Sequence, residues 1–297
     1  MTDTIRTARL ALRLSAAVPV LATALGLRAE VGVVADPSSP GLAGAVLVTQ
    51  IVDGPDITPW VQLSSSPAAV PLNVQGEANG DGPPTILGTP PGLCMVAWAR
   101  SSPGGYDVVF SRYANRTWSP PQALASTSMD ELDPFLVQGP DGTVHLFYWE
   151  AGTIPRVLHR QAPPDLSSWS APVQVSPAGV AACRPAAAFH AGVLNVAYEI
   201  HDYGYGQVPR QVVLAHEEEG TFVQEVVAIT YNVGPASPQV HTRSGKVWVD
   251  WIDGAGQMAW TRKESQGGWT PIQLESFGSI LERDFFVRGT IRCLATQ

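Results

Sequence analysis

Charge is scarce in this chain. Only 15% of its 297 residues are Asp, Glu, Lys or Arg, against roughly a quarter in ordinary soluble domains. What charge there is runs acidic, with a formal net charge of −8. Past the first fifteen residues there is no run of Lys or Arg, so the electrostatic footprint of a nucleic-acid binder is missing. Cysteine is scarce too. Cys94, Cys183 and Cys293 are far apart in sequence, with no CxxC or Cys/His spacing, so neither a disulfide framework nor a metal site is expected, and no cofactor is called for. Long apolar runs are also lacking. The longest, Leu14 to Leu27, is broken by Pro19 and follows Arg6, Arg9 and Arg13, which is too short and too Arg-rich for a transmembrane helix.

The chain is rich in turn formers. Gly 28 and Pro 26 make 54 of 297 residues, while 45% of the chain is apolar. Many turns with enough apolar mass for a core point to an all-β protein.

The first thirty residues stand apart. Three arginines, an apolar stretch and Ala22-Thr23-Ala24 have the form of a secretory signal peptide cleaved near residue 24, which would make the protein extracellular or cell-surface. The other reading of residues 1–30 is an extension that docks on the domain, on a second copy or on an assembly partner; the chain is then cytoplasmic if residues 1–24 are retained. Residues 31–297 read as one domain.

An internal repeat sets the architecture. The pattern Gly-x-apolar-x-apolar-x-aromatic occurs at Gly92…Trp98, Gly142…Tyr148, Gly192…Tyr198 and Gly245…Trp251, and without the aromatic at Gly289…Ala295. The glycines are offset by 50, 50, 53 and 44 residues. An upstream strand precedes each copy, at Pro84, Pro134, Pro185, Pro238 and Asp284. An apolar strand follows each of the first four, and then one opened by Trp118, Trp169, Phe222 or Trp269. Apolar residues alternate throughout. A four-stranded antiparallel unit repeated about every 50 residues is a propeller blade. The last copy stops after two strands, and Ala45–Ile51 with Trp60–Leu63 supply the missing outer ones. The expected fold is a five-bladed β-propeller whose last blade is closed by both chain ends.

The turn Ser111-Arg-Tyr-Ala-Asn-Arg-Thr117-Trp118 resembles the Asp-box of sialidase-like propellers, with Tyr113 and Asn115 in place of the box's Asp and Gly; His159…Trp169 and Thr261…Trp269 are looser copies. The resemblance covers residues 84–297 and implies the fold. In that superfamily the box is a structural turn remote from the active site. Sialidases carry a Phe/Tyr-Arg-Ile-Pro motif and an arginine triad. That motif is absent here, although Arg184 and Arg283 stand at first-strand starts where triad arginines sit. Arabinanase-type five-bladed enzymes need two Asp and one Glu, for which Asp133 is the match.

Strand direction gathers one set of loops on one face. That face receives Glu131, Asp133, Arg184, Glu282, Arg283 and Asp284 at strand starts. At strand ends it receives Trp98, Arg100, Trp149, Tyr198 and Trp251. Its longest loop, 199–208, breaks the repeat and carries His201, Asp202, Tyr203 and Tyr205. Aromatic faces stack on sugars, and polar side chains bond their hydroxyls. These features lead to the expectation of a non-catalytic recognition propeller that binds a glycan or a protein through this face. Two alternatives stay open: a sialidase- or arabinanase-like glycoside hydrolase using Glu131, Asp133, Glu282 and Asp284, or a scaffold subunit. Packing and strand-start roles compete for Trp98, Trp149, Tyr198, Trp251 and Asp133.

Overall fold

The computed structural model describes residues 29–35, 43–53, 56–63, 70–73, 80–89, 93–114, 117–201, 210–230, 237–253, 257–264, 267–275 and 290–293. Among these there is no helix, hence none long and apolar enough to cross a membrane. The described strands form antiparallel sheets of four or five strands, in two compact units.

The first unit holds β1 (Ala29–Ala35), β2 (Ala43–Asp53), β3 (Asp56–Leu63), β4 (Val70–Pro71), β5 (Thr85–Thr89), β6 (Leu93–Ser102), β7 (Gly105–Ala114), β8 (Thr117–Trp118) and β9 (Gln122–Ala125), with β22 (Thr290–Cys293) from the far end of the chain. One sheet runs β22-β1-β2-β3-β4; the other runs β5-β6-β7-β8, with β9 also on β7. The repeat did not signal β1, which stands between β22 and β2. Val61, Leu72, Ile86, Cys94, Val96, Trp98, Val109 and Tyr113 form this unit's core.

The second unit contains three four-stranded sheets in chain order. They are β10 (Asp130–Gln138), β11 (Val144–Ala151), β12 (Arg156–Ala162) and β13 (Val173–Gln174); then β14 (Ala182–His190), β15 (Val193–Ile200), β16 (Arg210–Glu218) and β17 (Thr221–Thr230); then β18 (Gln239–Arg243), β19 (Lys246–Ile252), β20 (Met258–Arg262) and β21 (Gln273–Glu275). The alternating apolar residues pack one sheet on the next. Phe147, Trp149 and Val157 meet Leu194, Val196 and Tyr198, and Ala197, Val212 and Leu214 meet Val247, Val249 and Trp251. Polar links cross the same seams. The Gln224 amide donates to Val175 O (2.8 Å), and Trp269 Nε1 donates to Glu225 (2.8 Å).

Two local devices place the strands. Two of the repeat glycines, and Gly220 besides, sit in hairpin turns: Ala191-Gly192, Ser244-Gly245 and Glu219-Gly220 all have positive φ at both positions, the backbone that type I′ two-residue turns require. The tryptophan-led strands are held by a hydroxyl rather than by an aspartate. The Ser119, Ser170 and Thr270 hydroxyls accept from the backbone N–H of Arg112 (3.0 Å), Gln161 (3.0 Å) and Arg262 (3.2 Å).

Candidate functional site

The site grows out of an irregularity shared by the first strands of the first two sheets of the second unit, with a matching backbone just before the third sheet. In β10, Leu132 pairs with Trp149 and Phe135 with Phe147, so Asp133 and Pro134 face Tyr148 alone. In β14, Arg184 and Pro185 face Tyr198 in the same way. These are bulges. Proline has no N–H for the ladder, and the extra residue bends the strand and re-aims the side chain before it. Asp133 (φ 46), Arg184 (φ 55) and Ser237 (φ 45) all adopt the left-handed region immediately before a proline. That backbone is costly for a residue with a Cβ, and such strain gathers at functional positions.

The re-aimed groups join into one chain of charges. Trp149 Nε1 donates to Asp133 Oδ2 (2.9 Å), and Arg184 Nε lies 4.0 Å from the same oxygen. The Arg184 Nη1 donates to Glu199 Oε1. Arg210, at the start of β16, donates to that oxygen from 3.2 Å, and the Ser237 N–H donates to Oε2 from 3.3 Å. The cluster therefore joins the first two sheets to the segment that leads into the third. Two carboxylates are balanced by two guanidiniums. Glu199 has no solvent exposure, while the Asp133 side chain keeps 31% and the Arg184 side chain 33%. A fully buried carboxylate needs such partners.

Cys183 and His201 complete the cluster. Cys183 is directly opposite Glu199 in the β14–β15 register. Its thiol donates to Glu199 Oε1 (3.3 Å), and its Sγ is 3.2 Å from His201 Nε2. The His201 backbone N–H donates to Ala181 O (3.1 Å), which extends the pairing past the end of β15. Burial pushes the thiol pKa far up, and the neighbouring Glu199 charge adds to it. Burial lowers the His201 pKa, against the pull of Glu199. Burial also opposes the Arg184 charge, but Glu199, Cys183 and Asp133 outweigh it and hold that pKa above its usual value.

Several residues singled out in the sequence lie elsewhere. Trp98, Tyr198 and Trp251 are corrected from stacking platforms to core residues, at 0%, 0% and 2% exposure. Their strands run between packed sheets, which closes both ring faces off from solvent. The Tyr198 hydroxyl donates to Gln224. Trp149 is also buried and acts through its indole N–H. Glu131 is fully buried opposite Glu150, whose own partner is Arg156 (2.7 Å). In the first unit, Arg100 stands opposite Asp107. Asp202, Tyr203, Tyr205, Glu282, Arg283 and Asp284 lie outside the described residues, as does the segment read as a leader, residues 1–24. Sequence reading passed over Cys183 and Arg210 as site residues, and placed Glu199 only among the strand ends of the loop-bearing face, at the start of the 199–208 loop. No local signal marks Arg210, whereas Glu199 occupies the repeat position that holds Trp149 one sheet earlier.

No family model and no curated protein sequence matches the chain. Solved structures do share its fold. An α-L-arabinanase from Penicillium chrysogenum, complexed with arabinobiose, superposes with a TM-score of 0.57 at 11% identity, over 79% of this chain and 78% of that one. A GH93 α-L-arabinofuranosidase from Fusarium graminearum, also with arabinobiose, gives 0.55 at 10% identity over 84% and 80%. A Hadza microbial sialidase gives 0.51 at 13% identity over 79% of this chain and 55% of its own. These are β-propeller enzymes, so the chain has a propeller fold. They correct the expectation of a non-catalytic recognition role, because the neighbours are mostly glycoside hydrolases. The expectation that any catalysis would be glycoside hydrolysis agrees with them.

Proposed function

We propose that this chain is a glycoside hydrolase acting on an arabinose-containing glycan, with residues 31–297 forming one five-bladed propeller. The pairing of β22 with β1 supports a ring closed by both chain ends. The substrate class comes from the arabinobiose complexes among the structural neighbours.

The observation that carries the proposal is the setting of Asp133. This carboxylate is partly open to solvent, held by Trp149 and Arg184, and presented by a strained bulge. A positioned carboxylate of that kind takes a proton from an attacking water, the base half of an inverting hydrolysis. Glu199 is sealed from solvent, so it does not reach a sugar; it anchors Arg210 and Arg184, and Arg184 in turn lies beside Asp133.

The test is reducing-sugar release from linear arabinan and from 4-nitrophenyl arabinofuranoside by the full chain and by Asp133→Asn. The wild type should turn over. The variant should lose about 100- to 10,000-fold in kcat, the usual worth of a general base, with glycan binding by calorimetry unchanged. An inactive wild type, or an Asp133→Asn variant of full activity, would overturn the proposal.

A further inference from the structure

We propose that Cys183, Glu199 and His201 form a binding site for a divalent zinc-type cation, a site that no linear spacing signals. Their ligand atoms all lie within 4.8 Å of one another. The three separations are 3.3 Å for Sγ to Oε1, 3.2 Å for Sγ to Nε2 and 3.9 Å for Nε2 to Oε1. Tetrahedral zinc with ordinary Zn–S, Zn–N and Zn–O bonds sets such atoms about 3.4 to 3.6 Å apart. Each observed separation is within about half an ångström of that geometry, so a cation fits among the three with modest side-chain movement.

The backbone preorganises the set. Cys183 and Glu199 are cross-strand partners, and His201, just past the end of β15 where its N–H still pairs with Ala181 O, is two residues from Glu199 and so shares its face. One sulfur, one nitrogen and one oxygen suit a borderline-soft ion and discriminate against magnesium or calcium, which take oxygen ligands. Three protein ligands leave the fourth position open, as in zinc sites that hold a water.

Arg184 and Arg210 compete with the cation, because both donate to Glu199 Oε1. Arg184 has an exit. Its side chain is one-third exposed, and its Nε already lies 4.0 Å from Asp133 Oδ2. Binding then exchanges the thiol proton for the metal and turns Arg184 from Glu199 towards Asp133. The proton goes to solvent and no electron moves.

Cobalt(II) is the probe, titrated into the full reduced chain and followed by absorption, with no substrate present. The expected result is one cobalt per chain, with a sulfur-to-cobalt charge-transfer band and tetrahedral visible bands, both removed by stoichiometric zinc. The Cys183→Ser variant should lose the charge-transfer band, and His201→Ala should bind at least tenfold more weakly. Arg184→Ala, which relieves the competition, should bind more tightly. An absent band in the wild type, or a band that survives in Cys183→Ser, would overturn the site. Circular dichroism checks that each variant is folded. Should Cys183→Ser fail to fold, the opposite shifts expected of His201→Ala and Arg184→Ala decide, and equal affinity in those two would refute the assignment.

Discussion

At the scale of single residues, this protein repeatedly encloses polar groups between sheets and satisfies them there. His145 and His159 show what that costs. They lie between the first two sheets of the second unit, with Nδ1 and Nε2 3.0 Å apart and the rings stacked. Phe147, Phe189 and Phe222 surround the pair. Burial lowers the His159 pKa to about 3, with the His145 ring adding to the effect; burial lowers His145 too, partly offset by the Asp141 charge. The direction for stability follows. Below pH 6.5 the unfolded chain takes up protons that the folded His159 refuses, so stability falls as the pH drops towards 3. Denaturant midpoints measured between pH 7 and pH 4 should fall steeply for the wild type. The slope should be flatter in His159→Phe by a few kcal/mol over that range. An unchanged slope would show that other groups dominate acid unfolding.

At the scale of elements, hairpins and bulges do different work. The hairpins give regularity: each pairs a residue at positive φ with a glycine. Ala191, at φ 49, is the clearest misfit, because alanine has no side-chain polar group to ease that backbone. Asn-Gly is the favoured sequence for such a turn. Ala191→Asn should raise stability by about 0.5 to 1 kcal/mol, read as a higher urea midpoint with an unchanged slope. A loss of stability would show that Ala191 packs in a way its exposed position does not indicate. The bulges, by contrast, spend that regularity on aim. They cost strain at Asp133 and Arg184, and together with Ser237, which shares that backbone just before β18, they join three positions of one repeat into a single connected cluster. The strands were legible from the period-two apolar pattern and the repeating glycines, and every repeat copy from Gly92 to Gly245 became a strand where expected. The bulges were not legible, because an x-Pro pair at a strand start has the same sequence whether or not it inserts an extra residue.

At the scale of the whole molecule, the two chain ends meet in one sheet. Ile291 pairs with Val31 and Cys293 with Ala29, so β22 covers an edge of β1. Exposed edges invite pairing with other chains. A chain ending before Thr290 should melt at a lower temperature and elute as aggregates on size-exclusion chromatography, while the intact chain elutes as a discrete species. Equal melting temperatures would show that β22 contributes nothing to the fold.

The sequence by itself determined the all-β class, the four-strand unit and, from Gly92 to Trp269, the order of the strands, because these depend on local alternation and on turn residues that recur about every 50 positions. It also brought out Asp133, Arg184 and His201 as residues of interest, since each breaks or punctuates that repeat. The tertiary structure alone decided what those residues touch. Cys183 and His201 are distant along the chain and adjacent only through the β14–β15 register, and Glu199 meets Arg210 and the Ser237 N–H only because separate strands and sheets converge on it. Burial was settled there too. Trp98, Tyr198 and Trp251 read as platforms in one dimension and are core residues in three, because exposure depends on which sheet packs against which.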